Sequence, residues 1–282
     1  MMSTVPTVAS FAIHSGINPT TLNAVRFLLT ALLLAATLYL FRSGRIRMDR
    51  RARLYCISAG LINSIGTLAL FWSLTRISTS VCSMLISIYP LFVLGFLALR
   101  GEMFNHRQII RLVLGLGGVY FLLDPQGNVD GWGVLLALVT AVAFSINLVI
   151  IQWYLKAYPS IQVTYYTMTT MAVALIGFWF IQGAGWHAPG WQGWLAILFL
   201  AIIGTYLARL LAYRSVQDIG SAQLSLLSPL ETFLAVSWSL LFLHERLTVI
   251  QWVGGALILA SALLAIERKP SQLNYDSEGA AL

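Results

Sequence analysis

Of the ten acidic residues in the 282-residue chain, Glu231 alone lies deep inside an apolar run. It falls about twelve residues into the run 219–243, close to a bilayer midplane at a rise of 1.5 Å per residue. A carboxyl group there costs roughly 3 kcal/mol or more and marks a functional site by default. It can carry a proton, meet a ligand ammonium, or lock two helices as a structural ion pair. Arg209, two positions before LAYR, lies in the preceding run, and a short connection lets it reach toward Glu231. Its alternative is to snorkel to the nearer face. Arg26, inside the run 20–41, reads as snorkelling or packing. Pro90 and Pro229 interrupt apolar runs and each frees a backbone carbonyl. Asn63, Tyr89, Asn147, Tyr206 and Ser228 are further polar or amphipathic groups inside such runs. Together they make a polar path or cavity; singly, each is an interhelical hydrogen bond of about 0.6–2 kcal/mol.

Other chemistries lack their residues. No HExxH or nucleophile elbow occurs, and the four histidines are scattered at segment ends. GLGG (115–118) and GG (254–255) follow no strand and precede no GKS or GKT, so they are not phosphate loops. They permit close helix packing, within the bundle or between two copies in a homodimer. Cys56 and Cys82 form no CxxC and read as small packing residues. An enzyme, a metal site and a cofactor are therefore not expected.

The chain is 59% hydrophobic and 10% charged, with a mean hydropathy of +0.81. Soluble domains carry about 25% charged residues, so the outer surface must face lipid and the class is an all-α integral membrane protein. Nine apolar runs are long enough to span or nearly so: 20–41, 54–75, 80–99, 107–123, 132–155, 161–181, 193–213, 219–243 and 248–266. The opening run, about Val5 to Ile17, makes a tenth but is short of the roughly 20 residues a span needs. A polar tail, 269–282, reads as disordered.

The net charge of +7 follows topology rather than nucleic acid. Of 17 cations, twelve fall in the loops after even-numbered segments or at the C-terminus, and two, Arg76 and Arg246, after odd-numbered ones. By the positive-inside rule the C-terminus is cytoplasmic in a multi-pass protein of the cytoplasmic membrane. Trp132, Trp153, Trp186, Trp191 and Trp194 read as interfacial belts.

The chain also repeats itself. QIIRLVLGLGGVYFLL (108–123) parallels QWVGGALILASALLAI (251–266), and Glu102 and Glu245 stand at matching places upstream. These two glutamates read as helix caps or loop anchors. Pro90 and Pro229 each fall inside the fourth segment of a half. Five segments per half is odd, so the halves, 1–124 and 131–268, enter the membrane inverted. Matching Pro19 to Pro159 places the start of segment 1 about ten residues before Met1. The expectation is that the front of that helix was lost to a misassigned start codon, a truncation or evolution, the first two together being favoured over the third.

NPTTLNAVRFLLTALLL (18–34), SIYPLFVLGFLALRGE (87–102), LGLGGVYFLL (114–123) and the stretch from GSAQLSLLSPLETF to ASALLAI (220–266) resemble the drug/metabolite transporter superfamily, EamA type. The resemblance covers residues 3–268. It departs at the short first helix and at Glu231, which follows Pro229 where relatives often read Glu-Pro. It implies ten helices in two inverted five-helix halves that move small metabolites, amino acids among them, usually outward. The expected partners are a small-molecule substrate and the lipid bilayer, with no nucleic acid. Alternatives are an uptake permease of the same fold and a non-transporting membrane scaffold or regulatory subunit. Proton coupling through Glu231 and facilitated diffusion are both compatible with these residues.

Overall fold

The computed structural model describes residues 4–14, 16–40, 48–99, 110, 113–115, 117–118, 120–121, 129–183, 190–221, 224, 228–245 and 247–263. Every regular element among them is helical. The order is α1 (Thr4–His14), α2 (Pro19–Leu40), α3 (Arg50–Ser73), α4 (Thr79–Ala98), α5 (within 110–121), α6 (Gly131–Tyr154), α7 (Ser160–Gln182), α8 (Trp191–Ile219), α9 (Ser228–Phe242) and α10 (Val249–Leu263). Six of these, α2, α3, α4, α6, α7 and α8, are long and apolar enough to cross a membrane. The opening run is a helix of 11 residues with Ala9 and Ala12 fully buried. The tail 269–282, Glu102 and Trp186 lie outside the described residues.

Helix starts carry the expected chemistry. Asn18 Oδ1 accepts from Thr20 N at 2.8 Å ahead of Pro19, whose missing N–H costs nothing at a first turn. Ser78 caps α4 through Val81 N, and Asp130 caps α6 through Trp132 N at 3.0 Å. α7 ends on Gly183 in the left-handed region, φ 62°.

Several boundaries differ from the hydropathy runs. α3 begins at Arg50 rather than 54, because Arg50, Arg51 and Arg53 stay exposed while helix geometry continues. α8 continues to Ile219 rather than 213; its last turns carry the Arg214–Asp218 pair, i to i+4, which suits helix but not hydropathy. The helix holding Glu231 begins at Ser228 rather than 219.

The two sequence halves pack across one another. α3 lies along α6 and α7, α2 against α7 and α8, and α4 against α6 and α9. Apolar side chains also cover the outer faces: Leu32, Ile65, Val173 and Phe233 are each more than half exposed in mid-helix. Only a lipid surround makes such an exterior stable. Trp132 and Trp191 are exposed near helix starts, as an interfacial belt requires. Cys56 and Cys82 are both buried and unpaired.

The glycine-rich stretches pack inside the chain. A Cβ on Gly118 would sit 2.8 Å from Gly254 O and 3.0 Å from Ile258 N, so α5 approaches the α10 backbone only because residue 118 has none.

Candidate functional site

A cavity of about 350 Å³ lies within the bundle. Its walls come from α1–α4 on one side of the sequence and from α6, α8 and α9 on the other. That volume suits a small metabolite. Most of the lining is apolar or aromatic, including Phe27, Phe71 and Phe144. Three charged side chains, Arg26, Arg209 and Glu231, interrupt it, with Ser83, Ser87, Tyr89 and Thr232 as neutral polar groups.

Each charged group is placed by a different local feature. Glu231 stands in the first turn of α9, two residues after Pro229. Arg209 follows a π-helical turn, Ile202–Leu207, and its guanidinium lies over the Phe144 ring at 5.1 Å. It neither snorkels nor makes a direct ion pair with Glu231 among the described residues. The two opposite charges therefore line one cavity without pairing directly.

Arg26 does not snorkel to the outer face. It is 5% exposed. Its Nε donates to Thr205 Oγ1 at 2.6 Å and its Nη2 to Gly204 O at 3.5 Å. The rings of Phe27 and Phe71 lie 5.3 and 5.8 Å from its guanidinium carbon. Both acceptors belong to the π-helical turn of α8. The sequence marks that turn only by the small pair Gly204-Thr205, too weak a pattern to identify a π-turn.

The other candidates divide. Tyr89 lines the cavity beside the break in α4, where the helix stops at Ile86 and resumes at Tyr89. Pro90 is the second residue of the resumed helix, and the Tyr89 carbonyl accepts from Ser145 Oγ at 2.8 Å. Pro229 is likewise the second residue of α9. Ser228 opens α9, but its side chain lies outside what the structure describes.

Asn63, Asn147 and Tyr206 are not in the cavity wall. Asn147 donates to Ala59 O at 3.2 Å and accepts from Tyr213 Oη at 3.2 Å, tying α6 to α3 and α8. Asn63 Nδ2 meets Met171 Sδ at 3.3 Å, and Tyr206 Oη meets Thr37 Oγ1 at 2.9 Å. These are interhelical contacts, the plainer of the two roles their sequence positions allow.

Hydrogen-bonded ties bracket the cavity. At one end, Glu245 Oε1 accepts from Thr79 N at 2.6 Å, and Oε2 accepts from Ser80 N at 2.9 Å and Ser80 Oγ at 2.5 Å. Glu245 thus caps α4 from the loop between α9 and α10. At that end Arg76 also pairs with Asp130 at 3.0 Å. At the other, Gln217 Nε2 donates to Leu155 O and Tyr158 O, and Gln152 Oε1 accepts from Ser221 N at 2.6 Å.

The EamA-like transporter family model matches residues 1–124 and 131–266. An uncharacterized transporter of Archaeoglobus fulgidus is 24% identical over 186 residues, 66% of this chain and 66% of the relative. A probable transport protein of Saccharomyces cerevisiae is 24% identical over 249 residues, 79% of this chain and 70% of the relative. An uncharacterized transporter of Bacillus subtilis is 27% identical over 261 residues, 88% of this chain and 82% of the relative. Among solved proteins, one crystal structure shares the fold with a TM-score of 0.69 at 21% identity, over 93% of this chain and 94% of the other.

Proposed function

Because this chain belongs to the EamA-like transporter family, we propose that it is a secondary transporter exporting small amphipathic metabolites, amino acids among them, across the cytoplasmic membrane by alternating access. A membrane transporter rather than an enzyme is what the family and the relatives' names support. The observation that carries the finer reading is the cavity, walled by both sequence halves and holding two guanidinium groups and one carboxylate that do not pair directly. A zwitterion of amino-acid size complements that charge pattern. Its carboxylate meets an arginine, its ammonium meets Glu231, and its side chain meets Phe27, Phe71 or Phe144.

Alternating access needs two ends that close in turn. The separate family matches over 1–124 and 131–266 support two halves of one inverted design. At one end, Glu245 and the Arg76–Asp130 pair are ties to the first half that can be made and broken, while Gln217 and Gln152 at the other end tie elements of the second half to one another. With no nucleotide-binding motif in the sequence, the driving force is a solute or ion gradient.

The test is counterflow in proteoliposomes. Vesicles preloaded with a mixture of the twenty amino acids should accumulate the labelled form of at least one from outside. Cells expressing the protein should release that compound faster than cells without it. Flux no higher than in protein-free vesicles across the whole panel, from protein that is folded by its melting transition, would overturn the reading. Faster cellular uptake in place of release would leave a carrier but reverse its direction.

A further inference from the structure

We propose that Arg26 is the fixed cation of this cavity, locked in place by Thr205, and that it restricts transport to molecules bearing a carboxylate; the inference rests on the cavity being the substrate site. The starting point is a charge without a counter-charge. Arg26 is 5% exposed, and no carboxylate lies within ion-pair distance of it among the described residues. A buried guanidinium whose partners among the described residues are a hydroxyl, a distant carbonyl and two ring faces has had little of its hydration replaced. Intramembrane cations held in this way mark ligand pathways.

The orientation of the group is built in. α8 widens to a π-turn at Ile202–Leu207, where backbone bonds span five residues instead of four. Thr205 Oγ1 donates to Leu200 O at 2.8 Å, and Thr30 Oγ1 lies within hydrogen-bond distance of both Arg26 O, 3.0 Å, and Ala201 O, 3.1 Å. With its proton committed to Leu200, the Thr205 hydroxyl can only accept from Arg26, which it does through Nε. Gly204 lets the same turn pack against α1, since a Cβ there would lie 2.8 Å from Val5 Cγ2.

With Nε anchored, Nη1 has no acceptor among the described residues. A guanidinium fork so held matches a planar carboxylate. Ser83 adds a second group to the same wall: it is 7% exposed, and its hydroxyl has no hydrogen-bond partner among the described residues. The cavity's formal charge also favours an anionic group, with two arginines against one glutamate.

The experiment uses the full-length protein in nanodiscs and proteoliposomes. The probes are the amino acids found to exchange in counterflow, each beside its amide and its decarboxylated amine. Wild type should bind and exchange the acids about ten- to a hundredfold better than the amides or amines, the span one charge-assisted hydrogen bond represents. Arg26→Gln should erase that preference, and Arg26→Lys, which keeps charge without the fork, should retain part of it. Thr205→Val should raise KM for the acids more than it lowers kcat, and Thr205→Ser should restore it. These last two variants keep the test decisive if Arg26→Gln fails to fold. Equal handling of acids and amides by wild type overturns the inference while leaving the transporter reading intact. So does a Thr205→Val protein that melts earlier but keeps its full acid preference. A panel with no exchange at all overturns both.

Discussion

At the scale of single residues, Glu231 and Asn147 make opposite predictions. Glu231 lines the cavity without a direct ion pair to Arg209. If it carries a coupled proton, Glu231→Gln should abolish accumulation driven by a proton gradient and spare substrate exchange, because Gln keeps shape but cannot cycle a proton. Flux measured with and without an imposed gradient decides this. Equal gradient dependence in wild type and variant would remove Glu231 from coupling. Asn147 is fully buried between α3, α6 and α8, outside the cavity wall. Asn147→Ala leaves Ala59 O and Tyr213 Oη short of a partner and should cost about 1–3 kcal/mol of stability. Substrate preference should not change. A changed preference with an unchanged melting temperature would show that Asn147 reaches the substrate.

Three contacts between elements set the next scale. Glu245 caps α4 with three short hydrogen bonds to Thr79 and Ser80. Removing a charged acceptor from two backbone N–H groups costs about 1.5–3 kcal/mol. Glu245→Gln should lose much of this as well, since its amide turns a donor toward those N–H groups. Unchanged melting in both Glu245→Ala and Glu245→Gln would mean that water replaces the cap at no cost. Where α5 meets α10, Gly118→Ala should destabilise by about 1–3 kcal/mol, because the new methyl meets backbone atoms that cannot rotate away. A Gly118→Ala protein as stable as wild type would refute that contact. Asp130 is held below its ordinary pKa of 3.8, first by the hydrogen bond from Arg76. Its stabilising effect is complete above the ordinary carboxylate range and is lost as pH falls through the lowered value. The melting-temperature gap between wild type and Asp130→Asn should therefore be constant near neutral pH and close only in acid. A gap that is unchanged in strong acid would assign it to something other than this charge.

For the whole molecule, the distribution of Lys and Arg predicts that reporters fused at Gly44 and at Pro270 both report cytoplasm. A periplasmic signal from either would reverse the orientation drawn from twelve cations against two. The inverted-repeat reading predicts that α1–α5 superpose on α6–α10 about an axis in the membrane plane. Pro90 and Pro229, each at the second position of a helix, give that superposition fixed points to test. Unrelated depths for the two prolines in an experimental structure would end it.

The sequence by itself determined the class and much of the layout. Long apolar runs with few charges leave no alternative to membrane helices, and hydropathy located them because lipid-facing and buried positions are both apolar. It also singled out Glu231 and Arg209, since a charge inside such a run has no cheap explanation. Helix ends were less legible: α3 and α8 extend through exposed charged turns that hydropathy excludes but hydrogen bonding does not. Only the tertiary structure separated cavity from packing. Tyr89 and Asn147 look alike in sequence, both polar and both mid-run, yet one faces the cavity and the other bonds Ala59 and Tyr213. Arg26 shows the same limit more sharply. Its hydrogen bond depends on a π-turn some 180 residues away, which leaves no periodic mark on the chain. Which way a side chain faces in a bundle buried on several sides is set by its neighbours' shapes, and those exist only once the helices have packed.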